Sequence, residues 1–282
     1  MKIHLTPEEL STGILAPETL ALAVEQVKAN GYIVFEKVLD EAFIRELRAS
    51  FDPLFDDYIS RKGYNTGTNR AQMHLPFMAP YNDERIINHP IALSIVEQIL
   101  GHDCKCTYFA SDTPMPGSDY QNVHSDTMPL FPELSVPLPA FSLVVNIPLV
   151  DTTEENGPLE VWPGGTHMNP DYANHDTLDG SVNPHLHIVR AAEHMLSEKV
   201  YMSAGSIVIR DLRMWHRGTP NRSNARRTNI ALIYNRAWYG SGFEIQIPRD
   251  VYNGLSDRAK KLFRNERIGY PVRMPWEPSP QN

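Results

Sequence analysis

The 282-residue chain is poor in cysteine, and this shortage excludes several classes of protein. Its two cysteines, Cys104 and Cys106, are too few for a disulfide framework or for a complete four-ligand zinc site. Because they lie two residues apart on an expected strand, they point to the same side, and we interpret them as core residues. Free thiols are typical of a reducing compartment, so we expect a cytoplasmic protein.

Long apolar runs and basic clusters are also missing. No apolar run reaches the roughly 20 residues of a membrane-spanning helix, and the N-terminal residues lack the apolar centre of a secretion signal. Asp and Glu outnumber Lys and Arg by 34 to 26, which gives a net charge of −8. Without a basic run we expect neither nucleic acid nor membrane as a partner, but a small-molecule substrate. The oligomeric state is left open.

The first third of the chain has the spacing and the capping residues of helices. The expected helices cover residues 17–30, a segment that Asp40 caps and that ends near Pro53 or slightly later, and residues 91–100 between Pro90 and Gly101. A short strand is expected at residues 32–38. These elements precede the β-rich part of the chain and are expected to pack on its outside.

From about residue 104 the chain has the character of strands. Apolar, β-branched and aromatic runs between turn residues predict strands at residues 104–111, 141–149, 159–162, 206–212 and 229–239. Short strands separated by turns favour a mainly β jelly-roll barrel or sandwich. We see no linker and expect one domain over residues 1–282. It would have a helical part to about 103, a core from about 104 to 240 and an extension from 241 to 282.

Two histidines and one aspartate supply the ligand types of a facial-triad iron(II) site. They are His124 and Asp126, in His-Ser-Asp, and His216, in Met-Trp-His-Arg-Gly. In an extended segment His124 and Asp126 lie on one face, and His216 is expected at the end of the strand over 206–212. A His-x-Asp triplet alone arises often by chance. Three ligands on one face of iron leave positions open for a chelating 2-oxo acid and for O2.

Arg227 follows His216 by eleven positions and suits the distal carboxylate of 2-oxoglutarate. The planar guanidinium pairs with a carboxylate through two hydrogen bonds. On a strand Arg227 shares one face with Asn229, Ala231, Ile233 and Asn235, a mixture that fits the inside of a barrel, whereas Arg226 falls on the packing face. The alternative is that Arg227 is an ordinary exposed arginine.

Three stretches in combination resemble the phytanoyl-CoA dioxygenase family of iron(II)/2-oxoglutarate oxygenases. They are Val123-His-Ser-Asp126, residues 155–167 with Trp-Pro-Gly-Gly-Thr-His, and residues 205–221 with Met-Trp-His-Arg-Gly. The resemblance runs from about Gly31 to Tyr239, and it includes the branch of the family that tailors natural products. It implies a double-stranded β-helix core that binds Fe(II) through His124, Asp126 and His216, with 2-oxoglutarate and O2 as co-substrates.

The resemblance also implies which residues contact 2-oxoglutarate. Arg227 would hold its far carboxylate, and Thr219 and Asn122 are candidates for further hydrogen bonds. Relatives often carry glutamine near Asn122, and some carry threonine where this chain has Leu159. Iron halogenases of this class have a small residue at the position of Asp126, so the carboxylate favours hydroxylation, desaturation or another oxidation.

Two polar segments, residues 60–82 and 171–190, have too little apolar content for a core and are expected to fold over the open end of the barrel. Candidate substrate-binding residues are Tyr64, Asn69, Arg70, Gln72 and His74 in the first segment, and Asn146 and Asn235 inside the barrel. Their polar groups suit a hydroxylated or amine-bearing molecule. The alternative for either segment is a solvated surface loop.

Taken with the resemblance, these features predict a non-haem Fe(II)/2-oxoglutarate-dependent dioxygenase. It would oxidise a C–H bond of a small molecule of the natural-product kind, with hydroxylation as the main expected reaction, and release succinate and CO2. Two other interpretations stay open. His/Asp/His also holds zinc in hydrolases, although Arg227 would then have no role. A metal-free barrel that binds a small ligand is the non-enzymatic alternative, and the intact set of site residues speaks against it.

Overall fold

Helices and short strands alternate along the chain in the computed structural model, which describes residues 1–127, 129–131, 134, 136–168, 176–178, 181–183, 186–240 and 242–278. The helices are α1 (Pro7–Thr12), α2 (Pro17–Asn30), α3 (Glu41–Lys62), α4 (Glu84–Ile87), α5 (Pro90–Leu100), α6 (Leu186–Ala192), α7 (Arg249–Gly254) and α8 (Asp257–Leu262). The strands are β1 (Lys2–Ile3), β2 (Tyr32–Phe35), β3 (Arg70–His74), β4 (Lys105–Pro114), β5 (Ser142–Pro148), β6 (Leu159–Val161), β7 (Asp176–Leu178), β8 (Ser181–Asn183), β9 (Glu198–Val200), β10 (Ile207–Asp211), β11 (His216–Gly218), β12 (Asn229–Asn235), β13 (Gln246–Ile247) and β14 (Arg267–Ile268).

Two β-sheets form the centre of the molecule. The larger sheet has the strand order β1-β2-β10-β5-β12-β4-β3, and the smaller has the order β11-β6-β9. Within the larger sheet every pairing is antiparallel except that of β1 with β2. Strands that are distant in the chain, such as β2 and β10, are neighbours, which is the connectivity of a jelly roll. The predicted mainly β fold with a double-stranded β-helix core is confirmed.

The two faces of the larger sheet have different environments because side chains alternate along each strand. On β10, Ile207 and Ile209 belong to the main core, which residues of α2, α3 and α5 cover. Val208 lies on the other face and packs with Val161 and Val200 of the smaller sheet. The helices therefore pack outside the barrel, and the space between the two sheets is available for a site.

The N-terminal part agrees with the sequence except at the end of α3. α2 and α5 have the predicted bounds, and Asp40 caps α3 by accepting a hydrogen bond from the Phe43 N–H at 2.8 Å. The helix does not end near Pro53, as the sequence suggested, but continues to Lys62. Proline removes one helical N–H, but Phe55 and Tyr58 bury their rings beyond it, and this packing outweighs the lost bond.

The polar segment at residues 60–82 is not a lid throughout, and that prediction is corrected here. Its first residues complete α3, and Arg70–His74 form β3 at the edge of the larger sheet, paired with β4. Ala71, Met73 and Phe77 are buried. Apolar residues alternate with polar ones here, so the low average hydropathy concealed a half-buried strand. Within residues 171–190, the second predicted lid, the structure describes β7, β8 and the start of α6, and the residues between and before them lie outside the described residues.

Cys104 and Cys106 are free thiols buried in the main core, as predicted. Among the helices that the structure describes, none is long and apolar enough to cross a membrane.

Glu266 makes the stability depend on pH. Burial raises the pKa of its carboxyl to about 7 from an ordinary value of 4.5, against the opposing effect of the Ile245 N–H, which donates to Oε2 at 2.7 Å. Between those two pH values the folded protein retains a proton that the unfolded chain has lost. The free energy of unfolding therefore falls as the pH rises through this window.

We expect Glu266→Gln to raise the melting temperature at pH 8 and to change it much less at pH 5, since an amide removes the buried charge and still accepts the hydrogen bond. Thermal unfolding followed by circular dichroism at both pH values measures this. Glu25→Gln, on the exposed side of α2, is the control and should have no effect. An equal change in Glu266→Gln at the two pH values would contradict the assignment.

Candidate functional site

Backbone pairing brings His124 and His216 together. The His124 N–H donates to the His216 carbonyl, and the His216 N–H donates to the His124 carbonyl, both at 3.0 Å. Residues that face each other in such an antiparallel bridge point to the same side of the sheet, and the two ring centroids are 4.3 Å apart. His216 is not at the end of β10, as the sequence suggested. The chain turns after Asp211, and His216 begins β11 in the smaller sheet.

Asp126 completes the group from the segment that follows His124. Its N–H donates to the Leu212 carbonyl at 3.0 Å, which fixes the chain beside the turn after β10. Asp126 Oδ1 lies 3.6 Å from His124 Nε2 and 3.4 Å from His216 Nε2. One ligand atom from each of the three residues lies within 4.8 Å of the others. Ligands about 2.1 Å from one ion are themselves roughly 3–4 Å apart, so the three residues fit a single metal ion.

The second nitrogen of each imidazole is held by a backbone carbonyl. His124 Nδ1 contacts the Asn122 carbonyl at 2.7 Å, and His216 Nδ1 contacts the Met214 carbonyl at 2.9 Å. A carbonyl can only accept, so the proton of each neutral ring sits on Nδ1 and the lone pair on Nε2. This is the tautomer that ligates a metal through Nε2, and the carbonyls also set the orientation of the rings.

The charges around the three residues favour the ionised carboxylate. Burial alone would raise the pKa of Asp126, but His216 and Arg210 outweigh it and hold that pKa well below its usual range. Burial and, after it, the charge of Arg210 lower the pKa of His216 to about 4. Burial also acts to lower the pKa of His124, but the Asp126 carboxylate outweighs it and raises that pKa. An ionised carboxylate and a neutral imidazole are the forms that bind a divalent metal.

The three residues line a cavity of about 220 Å³ between the two sheets. The remaining wall comes mainly from β4, β5, β10 and β12, and includes Tyr108, Ser111, Asp112, Val144, Asn146, Arg210, Arg227, Asn229, Ala231, Ile233, Gln72, Gln121, Leu159, Gly218 and Phe243. The first four residues of the face predicted to point inward, from Arg227 to Ile233, therefore do line the cavity.

Arg227 is a buried cation in the wall of this cavity, with 3% of its surface exposed. The pKa of its guanidinium is lowered to about 10, because burial and, to a lesser extent, Arg70 outweigh the opposing effect of Asp112. Its Nε is buried without a hydrogen-bond partner in the described part of the chain. A buried donor without an acceptor destabilises the protein, so this guanidinium suits an anionic ligand. The alternative that Arg227 is an exposed arginine is wrong.

Arg226 faces the other way, as the strand alternation predicted. Its Nη2 donates to Asp56 Oδ1 of α3 at 2.6 Å, and its guanidinium lies 5.3 Å from the centroid of the Phe55 ring. The two neighbouring arginines thus have different environments, one inside the barrel and one on its outside.

The two further candidates for 2-oxoglutarate contacts are placed differently from Arg227. The Thr219 hydroxyl donates to the Pro158 carbonyl at 2.7 Å, and Thr219 is not among the residues that line the cavity. Asn122 holds His124 through its backbone and lines a second, more open cavity whose wall also includes His124. Their contacts with 2-oxoglutarate stay predictions. Leu159 does line the main cavity, so this chain has an apolar side chain at the position where some relatives have a threonine hydroxyl.

The predicted substrate residues separate into two groups. Asn146 and Gln72 line the main cavity, and Arg70 lines the second one, which has a volume of about 470 Å³. The other four predicted residues do not line either of these two cavities. Tyr64 is exposed, and the Asn69 amide donates to the Pro116 carbonyl. The His74 ring packs against Tyr108 and Phe243, and Asn235 is buried. The Asn235 amide is bound by the hydroxyls of Thr107 and Ser142 in the adjacent strands, which corrects its placement at the cavity.

Arg210 and Asp112 were missed by the sequence analysis. Arg210 Nη2 donates to Asp126 Oδ2 at 2.7 Å. The sequence feature that could have indicated this role is the position of Arg210 at the end of the apolar run Ile-Val-Ile-Arg. An arginine buried in such a strand requires a negatively charged or hydrogen-bonding partner. Asp112 lies beyond the predicted end of β4 at residue 111, because the strand continues to Pro114. It is the carboxylate near Arg227 and lies 3.6 Å from Arg70 Nη1.

Comparison with known proteins gives matches over most of the chain. The profile of the phytanoyl-CoA dioxygenase family matches residues 27–229. Dioxygenase af480 of Aspergillus fumigatus is 26% identical over 208 residues, which are 73% of this chain and 62% of that relative. Dioxygenase aneA of Aspergillus aculeatus is 23% identical over 274 residues, 91% of this chain and 86% of that one. The chain thus spans less than two thirds of the first relative's length.

Two solved structures have a similar fold. One is the epimerase SnoN in complex with Fe3+, alpha ketoglutarate and nogalamycin RO, with a TM-score of 0.60, 18% identity, and coverage of 79% of this chain and 85% of that one. The other is the non-heme alpha ketoglutarate dependent carbocyclase SnoK from nogalamycin biosynthesis, with a TM-score of 0.57, 19% identity, and coverage of 80% and 85%. At these identities the likeness is one of fold.

Proposed function

Since this chain belongs to the phytanoyl-CoA dioxygenase family of iron(II)/2-oxoglutarate oxygenases, we propose that it oxidises a C–H bond of a small molecule, most simply by hydroxylation. The observation that carries the proposal is the shared cavity of His124, Asp126, His216 and the buried Arg227. Iron(II) and 2-oxoglutarate, when bound, supply an O2-dependent oxidation in which the 2-oxo acid leaves as succinate and CO2.

In this proposal each residue has a separate task. His124, Asp126 and His216 would hold the iron through Nε2, Oδ1 and Nε2, and backbone carbonyls orient both rings. Arg227 pairs with the far carboxylate of 2-oxoglutarate, and its burial strengthens that attraction because water does not screen it. Apolar side chains of the wall, such as Val144, exclude water from the reacting groups. A zinc hydrolase would leave the buried Arg227 without a function.

We place the substrate in the second cavity, next to His124. Its wall carries the hydroxyls of Thr66 and Thr68, the Gln121 amide and the guanidinium of Arg70. Such groups suit a molecule with several hydroxyl or carbonyl groups. That SnoN and SnoK take part in nogalamycin biosynthesis supports a natural product as the substrate class. We also propose one domain for the whole chain, supported by the main core cluster, whose residues run from Ile3 to Phe263.

An anaerobic titration tests the function. Adding iron(II) and then 2-oxoglutarate under nitrogen should produce a weak visible charge-transfer band, which a zinc hydrolase or a metal-free binding barrel would not give. A panel of hydroxylated natural products, scored by succinate released after O2 is admitted, then identifies the substrate. Iron(II) binding without any band on addition of 2-oxoglutarate would contradict the proposal.

The turn at residues 66–68 is expected to contribute to substrate binding only. Replacing Thr66 and Thr68 with alanine removes two hydrogen-bonding hydroxyls, each worth about 1 kcal/mol, so kcat/KM for the substrate found in the screen should fall about tenfold or more. The affinity for 2-oxoglutarate should stay within about twofold. Longer deletions through residue 74 are unsuitable because they remove β3.

Tyr64→Phe is the control, because this residue lies in the same connection but outside both cavities, and its kinetics should equal those of the unchanged protein. Unchanged substrate kinetics in the double threonine variant would move the substrate site to the main cavity, around Asn146.

A further inference from the structure

We propose that Arg210 is a positioning residue that restricts Asp126 to binding the metal through one oxygen and so keeps a coordination position open for the 2-oxo acid. The inference rests on the proposed function, because it concerns the metal that His124, Asp126 and His216 would hold. It is based on the observation that the two carboxylate oxygens of Asp126 have different neighbours.

The two oxygens of Asp126 face different partners. Oδ1 lies 3.6 Å from His124 Nε2 and 3.4 Å from His216 Nε2, so these three atoms could bind one metal ion. Oδ2 accepts a hydrogen bond from Arg210 Nη2 at 2.7 Å. A contact this short between a guanidinium and a carboxylate is among the strong, charge-assisted hydrogen bonds. The oxygen that would make the carboxylate a two-oxygen ligand is therefore already bound.

The place of Arg210 in the fold makes this contact rigid. Arg210 lies on β10, where it pairs with Val144 of β5 on one side and with Tyr32 of β2 on the other. It has 5% of its surface exposed, so its side chain has little freedom to leave Asp126 for water. A strand that is paired on both sides in the middle of a sheet holds its side chains more firmly than a loop.

Among the described residues, Asp126 Oδ2 is the acceptor to which the Arg210 guanidinium donates a strong hydrogen bond. Arg210 Nη1 lies 3.1 Å from His216 Nδ1, but that nitrogen already donates its proton to the Met214 carbonyl. Two donors do not form a hydrogen bond, so this approach gives Arg210 no second acceptor. Arg210 Nε is buried without a partner in the described part of the chain. The guanidinium therefore depends on Asp126, and Asp126 Oδ2 is not free to turn to a metal.

The contact between Arg210 and Asp126 affects how many coordination positions of the metal ion remain open. Carboxylates bind metal ions through one oxygen or through both. Two imidazoles and one oxygen leave three positions on a six-coordinate ion, two for a chelating 2-oxo acid and one for O2. A second oxygen from Asp126 would occupy one of them. A buried cation beside a divalent ion also repels it, so stronger metal binding does not explain why Arg210 is here.

Two substitutions separate these effects. Arg210→Met retains the length of the side chain but removes its charge and donors, and Arg210→Lys retains the charge and one donor for Oδ2. Arg213→Met is the matched control. Arg213, in the turn directly after β10, is also largely buried and paired with a carboxylate, Asp211 Oδ2 at 2.8 Å, but it does not line the main cavity.

The readout that does not involve 2-oxoglutarate is the number of water ligands on bound Mn(II), counted from the broadening of its electron paramagnetic resonance signal in 17O-water. Arg210→Met should hold one water ligand fewer than the unchanged protein, and Arg210→Lys and Arg213→Met should hold the same number. Mn(II) affinity in Arg210→Met should be tighter or at most about threefold weaker. The Kd of 2-oxoglutarate at saturating Mn(II) should rise at least about tenfold, and Arg210→Lys should restore most of that loss.

An unchanged water count in folded Arg210→Met would overturn the inference. So would a loss of Mn(II) affinity by about 10–100-fold with an unchanged Kd for 2-oxoglutarate, which is the usual result when a residue only orients a ligand. If the unchanged protein binds Mn(II) but not 2-oxoglutarate, the proposed function fails, and the water count still gives the result for Arg210. Melting temperatures of all variants identify any that do not fold.

Discussion

His216→Ala is expected to abolish iron-dependent turnover while the protein stays folded. One of three ligands is lost, and a metal contributes several kcal/mol to its reaction, so at roughly 4 kcal/mol the rate falls about a thousandfold. His124→Ala and Asp126→Ala should have the same effect. The fold should persist because these residues lie outside the main core cluster. Turnover in the presence of iron(II), together with circular dichroism, measures both parts.

A buried histidine elsewhere provides the control. His89 is buried before α5, and it does not line the main cavity. His89→Ala should lower the melting temperature and leave iron-dependent turnover in place. Full activity in His216→Ala would overturn the metal assignment itself, whereas an unfolded His216→Ala would shift the test to iron(II) affinity in His124→Ala and Asp126→Ala.

Arg227→Ala is expected to raise the 2-oxoglutarate requirement more than any other change outside the metal ligands. Truncating one partner of a buried, hydrogen-bonded charge pair costs about 2–5 kcal/mol, which corresponds to a rise in Kd of roughly 30-fold to several thousandfold. Arg227 qualifies because it is 3% exposed and its Nε has no partner among the described residues. The charge-transfer band, titrated with 2-oxoglutarate under nitrogen, measures the change.

Arg226→Ala is the matched control, with the same side chain one position earlier. Arg226 is held outside the barrel by Asp56 of α3, so its removal should change the Kd of 2-oxoglutarate by less than about threefold. Arg227→Lys should fall between the two, since it retains the charge and loses the two-pronged geometry. Equal effects of the two alanine variants would refute the assignment of Arg227 and Arg226 to opposite faces. An effect of Arg226→Ala alone would show that Arg226, and not Arg227, faces the 2-oxoglutarate site.

The sequence predicted the fold class and the helix bounds where local rules apply. Proline at the start and glycine at the end bound α2, and a period of two residues along β12 placed Arg227 and Arg226 on opposite faces. It failed where packing opposed a local rule. α3 continues through Pro53 because aromatic residues are buried beyond it. The polar segment at residues 60–82 contains an edge strand whose partner, β4, lies some forty residues away.

For the site, the amino-acid sequence by itself determined which ligand types are present, because imidazole, carboxylate and guanidinium chemistry is a property of the residues alone. It also determined which side chains share a strand face, because alternation is local. Only the tertiary structure decided that His124 pairs with His216 at the edge of the smaller sheet, and that Arg210 reaches Asp126 from the larger sheet. Those contacts depend on strand order and register, which arise when two sheets bury their faces against each other, and no short stretch of sequence encodes that outcome.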